Sequence, residues 1–242
     1  MDRVEPEDWK EPKDILVILA HPDDPEFFCG ATIGRWTRKG HRVHYCLFTR
    51  GDKGIQGDQP VDAQALMARR EIEQKAAAGM LGVNEVRFLD YEDGYLQAGL
   101  EERKAIVRVI RQEKPNIVVT CDPLNYFIRD SRLNHPDHRT AGQIVMDAVF
   151  PASGNPMFFP ELLEEGLLPH AVEEIWFSLT GQGNVSIDVT DTWPLRIEAL
   201  QKHASQIPDV KTFLANQKNR RAPDSSEENP RYVDNFRRII FA

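Results

Sequence analysis

A chain of 242 residues with 41% hydrophobic and 28% charged residues carries enough apolar surface for one substantial core and too much for a disordered segment. Its 30 basic residues against 38 acidic ones give a net charge of -8 with no basic run, which argues against nucleic acid as a partner. No window reaches the roughly 20 apolar residues of a membrane span, no signal-peptide pattern opens the chain, and Cys29, Cys46 and Cys121 lack CxxC spacing, so a soluble cytoplasmic protein without disulfides or a membrane partner is expected.

Taken in order, "DILVILA" (14–20) predicts a strand buried on both faces, and "CGATIGRWTRKG" (29–40) a helix closed by Gly40. "HRVHYCLFT" (41–49) reads as the second strand, followed by the Gly- and Asp-rich loop "RGDKGIQGDQP" and a long helix of strong helix formers over 61–83. "EVRFLD" is the third strand, residues 100–113 a helix with Ile106, Val107 and Ile110 on its apolar side, and "NIVVTCD" (116–122) the fourth strand. A helix over 138–149, a Pro-rich stretch to 170, strands at "EEIWFSL" and "NVSIDV", a helix near 191–204 and a linker-like "RAPDSSEENP" complete the chain.

Four β-then-α units require crossover connections, hence a mostly parallel sheet flanked by helices. The expected fold is a Rossmann-like α/β domain spanning 1–242, with its core at 14–150 and a small C-terminal β/α extension at 151–242. Ligands of such sheets gather beyond the carboxyl ends of the strands.

That is where "AHPDDPE" (20–26) stands, and "NHPDHRTAG" (134–142) follows the fourth strand in the same way. Adjacent carboxylates are costly to bury without a compensating cation. A catalytic zinc site takes three ligands from His, Asp or Glu and keeps a position for water. One His and one Asp of the first motif plus one His of the second supply that number. The remaining Asp could then accept a proton from water, and the remaining His, if protonated, could stabilise an oxyanion. Each motif taken alone also fits a turn, because Pro and Asp favour turns.

These two motifs, together with "RREIEQKAAAGMLGV", "LDYEDGYL", "LRIEALQKHASQ" and "YVDNFRRI", resemble the successive motifs of the LmbE-like (PIG-L) family of zinc-dependent N-deacetylases. The resemblance implies a Rossmann-like enzyme that removes acetyl groups from N-acetylglucosamine-type sugars. By position it makes His21, Asp24 and His138 the zinc ligands, Asp23 the general base and His135 the group that stabilises the tetrahedral intermediate. It further places Arg70 and Asp93 in the substrate pocket and His203 near it. Pro25 departs from the family, which usually carries Glu there; Glu26 follows it.

Zn2+ is the expected cofactor, although such donor sets also take Fe2+ or another divalent ion. The expected partner is a small N-acetylated sugar, and a homo-oligomer stays open. The alternatives are a metal-dependent hydrolase of another amide or ester, and a non-catalytic ligand-binding protein on the same fold. A dinucleotide-binding dehydrogenase is disfavoured, because "HPDDPEFFCG" stands where GxGxxG would lie. Asp137 reads as the N-cap of the helix from 138. His41, His44, Cys29, Trp36, Trp176 and Trp193 read as structural, and substrate choice is expected to lie in 123–134 and 150–170.

Overall fold

Strand β1 (Asp14–Leu19) is uniformly apolar after its first residue, and the structure, a computed structural model describing residues 9–55, 57–129 and 132–241, buries it on both faces. Residues 1–8, Gln56, Asp130, Ser131 and Ala242 lie outside the described residues, and with them the polar start of the chain and parts of the loops expected at 50–60 and 123–134. β1 pairs in parallel with β2 (Arg42–Thr49) on one side and β4 (Ile117–Cys121) on the other, with Val17 opposite both Tyr45 and Val119. β3 (Glu85–Tyr91) extends the sheet beyond β2.

Beyond β4 come β7 (Glu174–Ser178), then β9 (Val233–Ile240) and β8 (Val185–Asp188), giving the seven-stranded order β3-β2-β1-β4-β7-β9-β8. β9 runs antiparallel to both neighbours, whereas the other pairings of this sheet are parallel. A two-stranded hairpin, β5 (Phe127–Arg129) with β6 (Arg132–Leu133), stands apart from it. The fold is the Rossmann-like, mostly parallel α/β arrangement expected.

Side chains alternate along β1, so its odd and even positions serve two cores. Ile15, Val17 and Leu19 pack with residues of α1 (Asp24–Arg38), α2 (Ala63–Met80) and α6 (Trp193–Leu200), among them Trp36, Ala77 and Ala199. Leu16 and Ile18 pack with Ile106 and Ile110 of α3 (Leu100–Glu113) and Ala141 and Val145 of α4 (Pro136–Asp147). Gly142 lets α4 lie directly on the end of β4, since a Cβ there would sit 2.2 Å from the Cys121 carbonyl oxygen.

Two helix starts lie earlier than their sequence patterns suggest, each for the same reason. Pro25 and Pro136 occupy the first turns of α1 and α4, where a missing N–H costs nothing and a fixed φ favours the helix. Helix α1 therefore begins at Asp24 rather than 29, with a non-helical Cys29 inside it, and Pro25 in the first motif is accounted for as a helix opener. Short α5 (Glu161–Glu164), α7 (Val210–Lys218), the β5–β6 hairpin and β9 were not expected as elements, and the helix near 191–204 is a short turn at Thr190–Thr192 followed by α6. No helix among the described residues is long and apolar enough to cross a membrane.

Candidate metal centre and active site

Because β2 and β4 lie on opposite sides of β1, the chain reverses its winding there, and a crevice opens at the carboxyl ends of β1 and β4. The first motif leaves β1 directly into that crevice. Its loop is closed locally: the His21 N–H donates to Asp24 Oδ2 at 2.8 Å, and the Asp24 N–H donates to the His21 carbonyl at 3.3 Å. The second motif opens α4 and brings His138 across from it. His21 Nδ1 lies 3.2 Å from His138 Nε2 and 3.4 Å from Asp24 Oδ2, and His138 Nε2 lies 3.1 Å from Asp24 Oδ1.

The outer nitrogens of both rings show which atoms face inward. His21 Nε2 is 3.2 Å from Asp93 Oδ1 and 3.2 Å from Asp137 Oδ2, two carboxylates that can only accept when ionised. Both are held below the ordinary carboxylate range: burial opposes their ionisation, but the hydrogen bond to His21 and its charge outweigh it. Nε2 therefore carries a proton, and in the neutral ring Nδ1 points its lone pair at Asp24 and His138. His138 Nδ1 lies 2.9 Å from Asn134 Oδ1, which turns the Nε2 lone pair inward as well.

Two ring nitrogens and the two oxygens of Asp24 thus converge, and without positive charge they repel one another. A tetrahedral zinc centre with bonds of about 2.0–2.1 Å has ligand-to-ligand edges of about 3.3–3.4 Å, close to the 3.2 Å between the two nitrogens and to the 3.4 and 3.1 Å from each of them to one Asp24 oxygen. In the protein alone a proton takes the cation's part. Burial opposes charge on His21, but its bonds to Asp137, Asp24 and Asp93 hold its pKa well above the ordinary value. Burial likewise opposes charge on Asp24, yet the charge and hydrogen bond of His138, and then those of His21, keep its carboxyl far below the usual range.

Asp23 is treated differently from its neighbour. It adopts a left-handed backbone conformation with φ 88, rare for a residue with a side chain, and its carboxylate makes no capping bond to α1. Its N–H donates to Gln74 Oε1 at 2.7 Å, the Gln74 amide donates to both Glu26 oxygens at 3.1 Å, and His203 Nε2 meets Glu26 Oε2 at 3.1 Å. Arg70 lies alongside, donating from Nη2 to the Pro22 carbonyl at 2.7 Å and from Nη1 to the Gly51 carbonyl at 3.1 Å, with Nη2 3.4 Å from Asp23 Oδ2. Gly51, at φ 70, is required there because a Cβ would meet Arg70 Nη1 at 2.1 Å. Burial pushes the Asp23 carboxyl up to about 6, against the charge of Arg70 and with that of Asp24.

His135 caps α4, its Nδ1 accepting the Asp137 N–H at 3.2 Å. An accepting Nδ1 leaves the proton of the neutral ring on Nε2. Its ring centroid is 4.6 Å from that of His21 and 5.3 Å from that of His138. Burial and then the charges of those two rings push its pKa down, which opposes the protonated form expected from the sequence.

The structure brings His21, Asp23, Asp24, Arg70, Asp93, His135 and His138 into one crevice. Arg70 Nη1 and Asp93 Oδ2 approach to 4.0 Å, and both side chains are largely buried. His203 has no exposed surface and stands behind Asp23, joined to it through Glu26 and Gln74 and acting on its carboxylate by charge. Asp137 is corrected. Because Pro136 starts the helix, His135 takes the cap and Asp137 turns inward, accepting from the Gly94 N–H at 2.7 Å and the Leu96 N–H at 3.3 Å while holding His21.

Asn134, Gln74 and Glu26 had no role assigned from the sequence. A usable signal was spacing: Gln74 lies one turn beyond Arg70 on α2, on the same face, and Asn134 is four residues before His138. His44, by contrast, stays structural; it pairs with Glu113 at 3.1 Å, and Arg87, 2.7 Å from Glu113 and 3.9 Å from Glu85, already supplies positive charge to that cluster.

A Rossmann-like α/β sheet with a histidine–carboxylate cluster in its switch-point crevice defines the class of protein. Within that class, residues 16–149 match the PIG-L family, described as GlcNAc-PI de-N-acetylase, and the chain belongs to this family. It is 38% identical to diacetylchitobiose deacetylase of Thermococcus kodakarensis over 204 residues, covering 84% of this chain and 73% of that one. It is 29% identical to a probable N-acetyl-alpha-D-glucosaminyl L-malate deacetylase 2 of Bacillus anthracis, covering 85% and 86%. The structure of N,N'-diacetylchitobiose deacetylase from Pyrococcus horikoshii, complexed with its inhibitor MPG, superposes with a TM-score of 0.85 at 30% identity, covering 96% of this chain and 85% of that one. These relatives are named deacetylases of N-acetylglucosamine-type substrates.

Proposed function

We propose that this protein hydrolyses the acetamide of an N-acetylglucosamine-type conjugate, releasing acetate and the free amine, at a zinc centre held by His21, Asp24 and His138. The observation that carries the reading is the convergence of His21 Nδ1 and His138 Nε2, 3.2 Å apart, on the Asp24 carboxylate, whose Oδ2 lies 3.4 Å from the first and whose Oδ1 lies 3.1 Å from the second. A zinc ion, or iron(II) in its place, supplies Lewis acidity toward the amide carbonyl and toward water there.

The protein's own residues supply the rest. Asp23, with its carboxyl near 6 and free of the helix cap, takes a proton from the attacking water as the carbon–oxygen bond forms. It returns that proton to the nitrogen as the carbon–nitrogen bond breaks. Neutral His135 donates its Nε2–H to the developing oxyanion, its tautomer held by the cap bond to Asp137. Arg70 and Asp93 present charge to the sugar hydroxyls, while Gln74, Glu26 and His203 hold the Asp23 backbone from behind.

On this reading the whole chain acts as one deacetylase domain, its core at 14–150 and its extension at 151–242. Three buried free thiols, Cys29, Cys46 and Cys121, suit the reducing cytoplasm as its location. Asp23→Ala is the direct test. Acetate release across a panel of N-acetylglucosamine conjugates is expected to fall by about 10²–10⁴-fold with bound metal retained, and equal release by wild type and variant would overturn the proposal.

A further inference from the structure

We infer that Asn134 is a positioning residue for the metal centre, fixing the ring of His138 and tying that ligand to the β5–β6 hairpin. The inference rests on the metal reading above.

Asn134 is buried at the end of β6, and each of its four polar groups is engaged. Its side-chain nitrogen donates to the Asn125 carbonyl at 2.8 Å. A carbonyl oxygen has no proton to give, so the orientation of the amide is settled by chemistry: nitrogen toward Asn125, oxygen toward His138. Oδ1 then lies 2.9 Å from His138 Nδ1 and can only accept, which forces the proton onto Nδ1 and leaves the Nε2 lone pair facing Asp24 and His21.

The backbone of Asn134 binds the hairpin in turn. Its N–H donates to the Tyr126 carbonyl at 2.9 Å, and its carbonyl accepts from Arg139 Nη1 at 2.8 Å. The Arg139 guanidinium lies 4.7 Å over the Tyr126 ring. One amide therefore couples two things that the chain supplies separately, the tautomer of a ligand and the seat of a hairpin that exposes Tyr126, Phe127 and Leu133 beside it. The Phe28 ring packs edge-on 5.0 Å from the His138 ring but offers it no hydrogen-bond acceptor, so it cannot substitute for the amide oxygen.

Two variants separate the two couplings. Asn134→Ala removes the acceptor from His138 Nδ1 and is expected to weaken zinc binding by about 10–100-fold, the usual effect of losing the partner that orients a ligating histidine. Asn134→Asp keeps an oxygen on His138 but sets another against the Asn125 carbonyl. It is expected to hold zinc about as well as wild type while raising KM through a loosened hairpin.

Zinc affinity is measured on the full chain by competition with a chelating dye after metal stripping, and folding is checked by circular dichroism. An Asn134→Ala affinity equal to wild type overturns the inference, as does an Asn134→Asp protein that binds zinc as poorly as the alanine variant. Where the alanine variant loses the wild-type spectrum, the aspartate variant decides: retained affinity supports the inference, and a tenfold loss contradicts it. A wild-type protein that binds no zinc overturns the metal reading itself, so the two failures are told apart.

Discussion

At the scale of single residues, the crevice works by giving like groups unlike neighbours. Asp23 and Asp24 are adjacent in sequence, yet Asp24 faces two histidines and Asp23 faces Arg70 across a left-handed backbone turn. The turn itself is braced by the buried series Gln74, Glu26 and His203. Burial opposes a charge on His203, but the bond to Glu26 and its charge prevail and raise the ring's pKa above the ordinary 6.5. The folded state then binds more protons than the unfolded one. The stabilisation is fully present below about pH 6.5 and is lost as pH rises through the higher folded value. For His203→Gln, denaturant unfolding should show a deficit against wild type at pH 5.5 that shrinks by pH 9; a deficit constant with pH would contradict a charged pair. The proposed ligand residues stood out in the sequence because His, Pro and paired Asp cannot continue a buried strand. The inward turn of Asp137 was not, because a residue one step inside a helix start reads as a cap until the proline before it is placed.

At the scale of elements, the two prolines and one glycine place the site. Pro25 and Pro136 start α1 and α4 close to the strand ends, so both motifs open helices beside the same crevice. Gly142 then seats α4 on β4, with only 2.2 Å between its would-be Cβ and the Cys121 oxygen. Gly142→Ala must push the helix off the strand, and overpacking of this kind costs about 1–3 kcal/mol. The expected outcome is a melting temperature lower by about 2–12 °C, with weaker zinc binding because His135 and His138 move with α4. Unchanged melting and affinity would show that the contact is not tight. Alternating β and α patterns made the parallel half of the sheet readable. β9 escaped because its sequence, "VDNFRRII", is not apolar enough to announce a central strand. Its charges are matched only by the fold: Arg238 reaches Glu174 through Nε at 2.8 Å and Nη2 at 2.6 Å, and Asp234 accepts from Thr32 Oγ1 at 2.7 Å. The β5–β6 hairpin escaped because a strand of three residues and one of two carry no period to detect.

At the scale of the whole molecule, the segment beyond residue 150 is joined to the core at the rear of the crevice. Arg196 of α6, fully buried, donates from Nε to the Glu26 carbonyl at 2.9 Å and from Nη2 to the Phe27 carbonyl at 2.9 Å. His203 meets the Glu26 carboxylate. The C-terminal third thus braces the first turn of α1, and with it both aspartates, although the family match ends at residue 149. That bracing is a long-range property, built from residues about 170 positions apart, which periodicity and spacing do not reveal. The central claim concerns the charge at the convergence of His21, Asp24 and His138. It is tested most directly by acetate release from N-acetylglucosamine conjugates, diacetylchitobiose among them, before metal removal by a chelator, after it, and after zinc is restored. The account expects release to be lost with the metal and recovered with zinc; release that continues unchanged in protein shown to be metal-free would contradict it.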